Sequence, residues 1–319
     1  MGSDPRSERR AEGAEVRRSE HAERAETMDG PQATRRGTRR GRGRQTRDFR
    51  ATTSALEGLS LAGASVAVHV TDLDRGDVVL AGDDHLPLPI GGLGVVPLLI
   101  ETAARIDAGT LDPHALAERE DGTLAPTGVW RSMAVPTLPI VDLAVLAAAA
   151  GDAAATNALL AQVGHENVTR RIADLGMPRS ALLDGFRCER GPDDAPYIAL
   201  GTAREFAELF ASLAAGTAVG PAVSERVVGW LSPVTDAGLV AAAVGGDPFS
   251  HEPDGHGLVH FAKTGRERGV RADAGVLAGR RGAFAYALIV AFDDLSLLHR
   301  HRVHQAFHAL GGDLLEYAT

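Results

Sequence analysis

The chain has 319 residues, 44% apolar and 24% charged, with one cysteine and a formal net charge of −9. That length is enough for one or two buried cores, a lone Cys188 excludes a disulfide-stapled fold, and the longest apolar run, Ala283 to Phe292, is about half of the roughly 20 residues a membrane-spanning helix needs. Of 33 Lys and Arg only Lys263 is a lysine, so a mechanism that requires two lysines is excluded.

Charge is unevenly placed. Residues 1–50 carry 14 Arg against nine Asp and Glu, a net of +5, whereas the remaining residues carry 19 basic against 33 acidic groups, a net of −14. The first fifty residues have few large apolar side chains and no period, so they bury too little surface to offset the entropy of ordering. They read as a disordered arm, 1–50, ahead of a folded domain, 51–319. The plain reading of the arm is a solvating tail, or a start placed too early with the true start at Met28. Its Arg35, Arg36, Arg39, Arg40, Arg42 and Arg44 cluster is also a candidate contact for nucleic acid or anionic lipid. No apolar segment follows the arginine doublets, so export is unsupported and a cytoplasmic location is the expectation.

From Leu61 the texture changes. Ser65 to Val70 alternates and Asp77 to Leu80 follows a turn at Arg75-Gly76, which predicts a hairpin. Leu93 to Ile106 reads as a helix with Pro97 in its first turn. Ile140 to Ala150 is apolar almost all round apart from Asp142, the pattern of a buried helix. Shorter helices are expected over Thr156–Val163, Asn167–Leu175, Ala203–Ala214 and Val223–Leu231, mostly closed by glycine. Strands return at Leu258–Ala262, Ala272–Leu277 and Ala283–Ala291, and a last helix is expected from about Leu295 to Leu310. No repeat period is present. The order predicts an α+β fold, with one antiparallel sheet built from both chain ends, flanked by helices, and an all-helical insert between them.

Five stretches then carry a resemblance. They are Lys263-Thr264-Gly265 after the first late strand, Leu88 to Gly91 ahead of a helix, Leu138 to Leu143, Ala155-Thr156-Asn157, and Arg271 to Gly275. Together, in this order of elements, they resemble the class A β-lactamase and penicillin-recognising serine hydrolase family, over roughly Leu61 to the C-terminus. The resemblance implies acyl transfer through a serine with a lysine three residues later, a Ser-Asp-Asn triplet, and a glutamate in the loop after the helical block. The matching positions here hold Gly92 and Val95 for the first pair, and Gly151, Asp152 and Ala153 for the triplet. Glu189, Asp193 and Asp194 are the carboxylates near the glutamate's loop. Nucleophile, base and proton shuttle are thus replaced by groups that cannot serve, and residues acting as one unit fail together. The resemblance implies no catalytic residue here, and a ligand-binding set of Lys263, Thr264 and Gly265, with Asp152, Asn157 and Asp273 as structural remnants. A cation and a hydroxyl on a strand edge suit a small anionic ligand; the plainer alternative is that Lys263 is an exposed edge charge.

Other signals are weaker. Gly92-x-Gly94-x-x-Pro97 has proline at the third glycine of a dinucleotide fingerprint and follows a hairpin, so no cofactor is expected. His301, His304 and His308 share one helix face and read as a solvated row rather than a metal set. His251, His256 and His260 read as loop polarity, and Ser132 falls off the family's catalytic position. The expectation is a catalytically impaired pseudoenzyme that binds a small anionic ligand or a protein partner in the former active-site cleft. The rival is a hydrolase using Cys188 beside Arg187, or a water near Asp193.

Overall fold

The computed structural model describes residues 48–119, 127–233, 235–245 and 257–319. Residues 1–47 of the arm, together with His251 and His256, lie outside the described residues.

The body opens with helix α1 (Arg50–Leu61), which the sequence reading did not anticipate. Its buried Thr52, Leu56 and Leu59 lie on one helical face, and buried Phe49 precedes them. The folded chain therefore includes the last residues assigned to the arm. Strands β1 (Ser65–Asp72) and β2 (Asp77–Gly82) form the expected hairpin. A two-residue strand β3 (Leu88–Pro89) leads into a 3-10 turn at Gly91–Val95 and helix α2 (Val96–Asp107), with Pro97 in the first turn as anticipated. Short strands β4 (Leu116–Glu118) and β5 (Thr137–Pro139) pair with each other. Helices α3 (Ile140–Ala149), α4 (Ala153–Val163) and α5 (His165–Asp174) follow. Strands β6 (Ala181–Leu182) and β7 (Ala199–Gly201) bracket a long loop, and helices α6 (Ala203–Ala214) and α7 (Pro221–Leu231) complete the insert. The chain then returns as β8 (Val259–Glu267), β9 (Val270–Ala278), β10 (Ala283–Ala291) and helix α8 (Leu297–Ala318).

The five-stranded sheet has the order β2-β1-β10-β9-β8 and every pairing is antiparallel, so both chain ends do build one sheet. Side chains alternate between its faces. Ala67, Phe261, Ala272, Ala274, Ala285 and Ala287 face the helical insert; Val68, Val70, Ala262, Leu277, Tyr286 and Leu288 face α1 and α8. The alanine-rich face lets the insert approach the sheet closely. Lys263 to Gly265 lie within β8, paired with Ala274 to Ala272, rather than after the strand as the sequence suggested. His260 is also on this strand and bonds the Tyr286 hydroxyl at 3.0 Å, which corrects its reading as a loop residue.

Helix α8 runs past Gly311-Gly312, where the sequence seemed to end it. Gly311 is no terminator. A Cβ there would collide with the backbone oxygen of Val240, so glycine permits the helix to cross the short 3-10 turn at Val240–Ala243. The extra turns carry Asp313 and Tyr317 to α1. Asp313 Oδ2 accepts from Thr52 N at 3.0 Å and from Thr52 Oγ1 at 2.7 Å, and the Phe49 and Tyr317 rings lie 5.4 Å apart. No helix among the described residues is long and apolar enough to cross a membrane.

The Thr52–Asp313 clamp makes a testable point about how the ends are joined. Asp313→Ala leaves the buried Thr52 hydroxyl without its acceptor and is expected to cost about 1–3 kcal/mol, read as a lower urea midpoint. An unchanged midpoint would show that α1 is held by apolar contact alone.

Candidate functional site

A cavity of about 220 Å³ opens where edge strand β8 meets the helical insert. Among its lining residues are Gly92, Val95, Gly151, Lys263 and Thr264, so the fold brings together five positions that the sequence singled out. Their convergence follows from chain order. The turn before α2 carries Gly92 and Val95, the link from α3 to α4 carries Gly151, and β8 carries the two polar residues. Gly265 holds these parts together: a Cβ on it would strike the Ile90 backbone oxygen, so only glycine lets β8 lie against that turn.

Lys263 is 3% exposed, and the reading of it as an exposed edge charge is set aside. Its side chain faces the insert, and a Cβ built on Gly151 would lie 3.5 Å from its Nζ. Burial drives the ammonium pKa down to about 8, while the charges of Asp236 and Asp273 act in the opposite sense. A Cβ on Gly92 would meet the Thr264 backbone oxygen at 3.6 Å and the Phe186 ring at 3.7 Å, so that position has room for a side chain and has none.

The remaining predicted residues act around the cavity. Asp152 is fully buried and caps α4, accepting from Ala155 N at 2.9 Å and from Trp130 N at 2.8 Å. Ala153 begins that helix and is buried. Asn157 clamps the long loop by two reciprocal bonds: Phe186 N donates to its Oδ1 at 2.8 Å and its Nδ2 donates to Phe186 O at 2.9 Å. Asp273 sits behind β8, opposite Thr264. It accepts from Val240 N at 3.0 Å and from the Tyr286 hydroxyl at 3.2 Å. Burial raises its pKa to about 7, against the lowering effect of those two bonds.

Three site residues escaped the sequence reading. Phe186 is buried and presents its ring to the cavity. Asp236 and Arg266 also line it and form a bidentate pair: the Nη2 donates to Oδ1 at 2.7 Å and the Nε donates to Oδ2. Thr264 Oγ1 donates to the same Oδ2 at 2.9 Å. Burial alone would raise the Asp236 pKa, but the bonds from Arg266, Thr264 and Gly238 hold it below the ordinary carboxylate value. The available signals were slight. Arg266 directly follows the Lys-Thr-Gly stretch, and Asp236-Ala237-Gly238 has the composition of a turn.

The rival nucleophile and water sites are elsewhere. Cys188, Glu189 and Asp193 are exposed on the loop after Phe186 and do not line the cavity. Asp184 there is engaged by Arg187 at 2.7 Å and by Arg190 at 2.9 Å. Ser132 is exposed. Among the described residues no group of three or more His, Cys, Asp or Glu is placed to hold a metal, the row His301, His304 and His308 included.

Residues 50–318 match the pattern described as the beta-lactamase enzyme family. No curated protein matches the chain. A beta-lactamase from Sphaerobacter thermophilus superposes with a TM-score of 0.72 at 21% identity, covering 84% of this chain and 97% of that one. An ancestral class A beta-lactamase gives 0.68 at 19% identity, with 84% and 99% covered. The protein PBP-A gives 0.66 at 16% identity, with 83% and 96% covered. These likenesses carry the fold.

The two buried charges predict opposite pH effects. Asp273 is protonated more readily folded than unfolded, so its contribution to stability is fully present below about pH 4 and is lost as pH rises to about 7. Lys263 loses its proton more readily when folded, so stability rises as pH climbs from about 8 towards 10.5. Asp273→Asn keeps the shape, its amide oxygen accepting from Val240 and its NH₂ donating to the Tyr286 hydroxyl. The urea stability of the wild type is expected to fall relative to this variant between pH 4 and 7, with parallel profiles from pH 7 to 8. Parallel profiles throughout would show that Asp273 titrates normally.

Proposed function

The chain belongs to the beta-lactamase enzyme family, and we propose that it is a catalytically impaired member whose cleft binds a small anionic ligand. Acyl transfer through a covalent intermediate requires a nucleophile within hydrogen-bond reach of a base. The observation that carries the reading is the pairing of the Lys263 ammonium with Gly151. The cation sits where it would meet a side chain at that position, and the position offers no hydroxyl to hand a proton on. Gly92, at the place where the family carries its serine, has room for a side chain but no attacking atom, and Val95 beside it has no proton to exchange. The loop after the helical block offers the cavity the ring of Phe186 in place of a carboxylate that would orient water.

The binding parts remain. Lys263 supplies a cation little exposed to water, and Thr264 and Arg266 supply donors aimed at one carboxylate geometry. Low local dielectric strengthens their attraction for an anion relative to the same groups in water. Asp152 and Asn157 keep the cleft walls in place without contributing a reacting atom. A hydrolase built on Cys188 or on water at Asp193 is the disfavoured reading, because neither residue lines the cavity.

Incubation with benzylpenicillin followed by intact-mass spectrometry tests the first half of the reading. The expected mass is that of the unmodified chain, and a chromogenic cephalosporin is expected to stay intact; a covalent adduct or steady turnover contradicts the proposal. The second half is tested by thermal shift with benzoate. The wild type is expected to be stabilised by mass action and Lys263→Met to lose that response; equal shifts in both would remove Lys263 from the binding role.

A further inference from the structure

Two of the three donors assigned to the cleft, Thr264 and Arg266, are already occupied. Thr264 Oγ1 and the Arg266 fork all donate to the carboxylate of Asp236, which lies 28 and 30 residues earlier in the chain. The arrangement is that of a bound carboxylate ligand: one oxygen takes the hydroxyl and Nε, the other takes Nη2. We propose that Asp236 is a resident carboxylate ligand that fills the anion subsite and sets the specificity of the cleft, so that an external carboxylate enters only by displacing it. This rests on the reading of the cleft as a ligand site and adds which residue decides what that site accepts.

The segment carrying Asp236 is held in place at both ends. One end is fixed by Thr235, whose Oγ1 donates to Ala149 O at 2.7 Å. The other is fixed by Val240 N, which donates to buried Asp273 at 3.0 Å. Between them Gly238 N donates to Asp236 Oδ1 at 3.3 Å. A Cβ on Gly238 would come within 2.9 Å of the Arg266 Nη2, so glycine leaves room for the guanidinium to reach its partner. The pair is not sealed, since the side chains of Arg266 and Asp236 remain 35% and 31% exposed. A solvent-borne anion thus has access to the guanidinium.

Charge bookkeeping gives the consequence. Lys263 and Arg266 supply two positive charges to the cavity and Asp236 returns one negative. An intramolecular carboxylate competes at an effective concentration of millimolar order or above. The apparent affinity for an external carboxylate is reduced by the fraction of molecules in which the subsite is free. A neutral ligand pays no such penalty. Removing the charge of Asp236 therefore selects for carboxylates alone.

The test is an NMR or calorimetric titration with benzoate and its neutral counterpart benzamide, on the wild type, Asp236→Asn and Asp236→Ser. Benzoate is expected to bind both variants at least roughly tenfold more tightly than the wild type, the factor that a subsite free less than about a tenth of the time implies. Benzamide affinity is expected to be unchanged. Equal benzoate affinity in wild type and variants overturns the proposal while leaving the cleft as a ligand site. An equal gain for benzamide also overturns it, because the effect would then be steric. No benzoate binding to any of the three removes the ligand-site reading itself. Failure of both variants to fold overturns the proposal as well and gives Asp236 a purely structural role.

Discussion

A lysine ammonium held almost wholly out of water is the constraint around which this molecule is arranged. Lys263 is 3% exposed on an edge strand, where most lysines would reach solvent. Keeping a charge there is unfavourable without compensating negative charge, and the carboxyls of Asp236 and Asp273 partly offset the cost of burial. Both belong to one linked assembly. Asp273 holds Val240, the chain from Thr235 to Val240 presents Asp236, and Asp236 in turn engages Thr264 and Arg266 on the same strand as Lys263. The polar side of the cleft is therefore set by a charge network centred on β8, and the core residues Val95, Ala147 and Phe186 line the rest.

Around that network the walls are kept by residues whose side chains bond backbone. Asp152 closes the start of α4 and ties down Trp130, and Asn157 grips the backbone of Phe186. A cleft of this form normally justifies such scaffolding by the reacting groups it orients. Here it orients Gly92, Gly151 and an aromatic ring. Such walls around a cleft proposed to lack reacting atoms are coherent for a binding site. On the proposed reading, the polar groups of the cleft recognise charge and none of them moves a proton.

Much of the fold was legible because it depends on local rules. Alternation gave β1, the turn at Arg75-Gly76 gave β2, the proline marked the first turn of α2 though the helix begins at Val96 rather than Leu93, and Ala203–Ala214 and Ala283–Ala291 were read to the residue. Where the reading fell short, tertiary contact had overruled a local signal. Gly311 looks like a stop and is instead a close crossing. Helix α1 has too few apolar residues to declare itself, and it forms because Thr52 and Phe49 find partners on α8. The site divided in the same way. Lys263, Thr264, Gly92 and Gly151 were found because their types sit in recognisable stretches. Asp236, Arg266 and Phe186 were missed because their roles depend on partners distant in sequence, with no pattern of their own.

A crystal structure of the protein soaked with benzylpenicillin separates binding in the cleft from acylation. The expected result is an intact lactam ring held without covalent attachment, its carboxylate on Thr264 and Arg266 and Asp236 turned away from that site. Density continuous between the opened ring and any side chain of the cleft would contradict it.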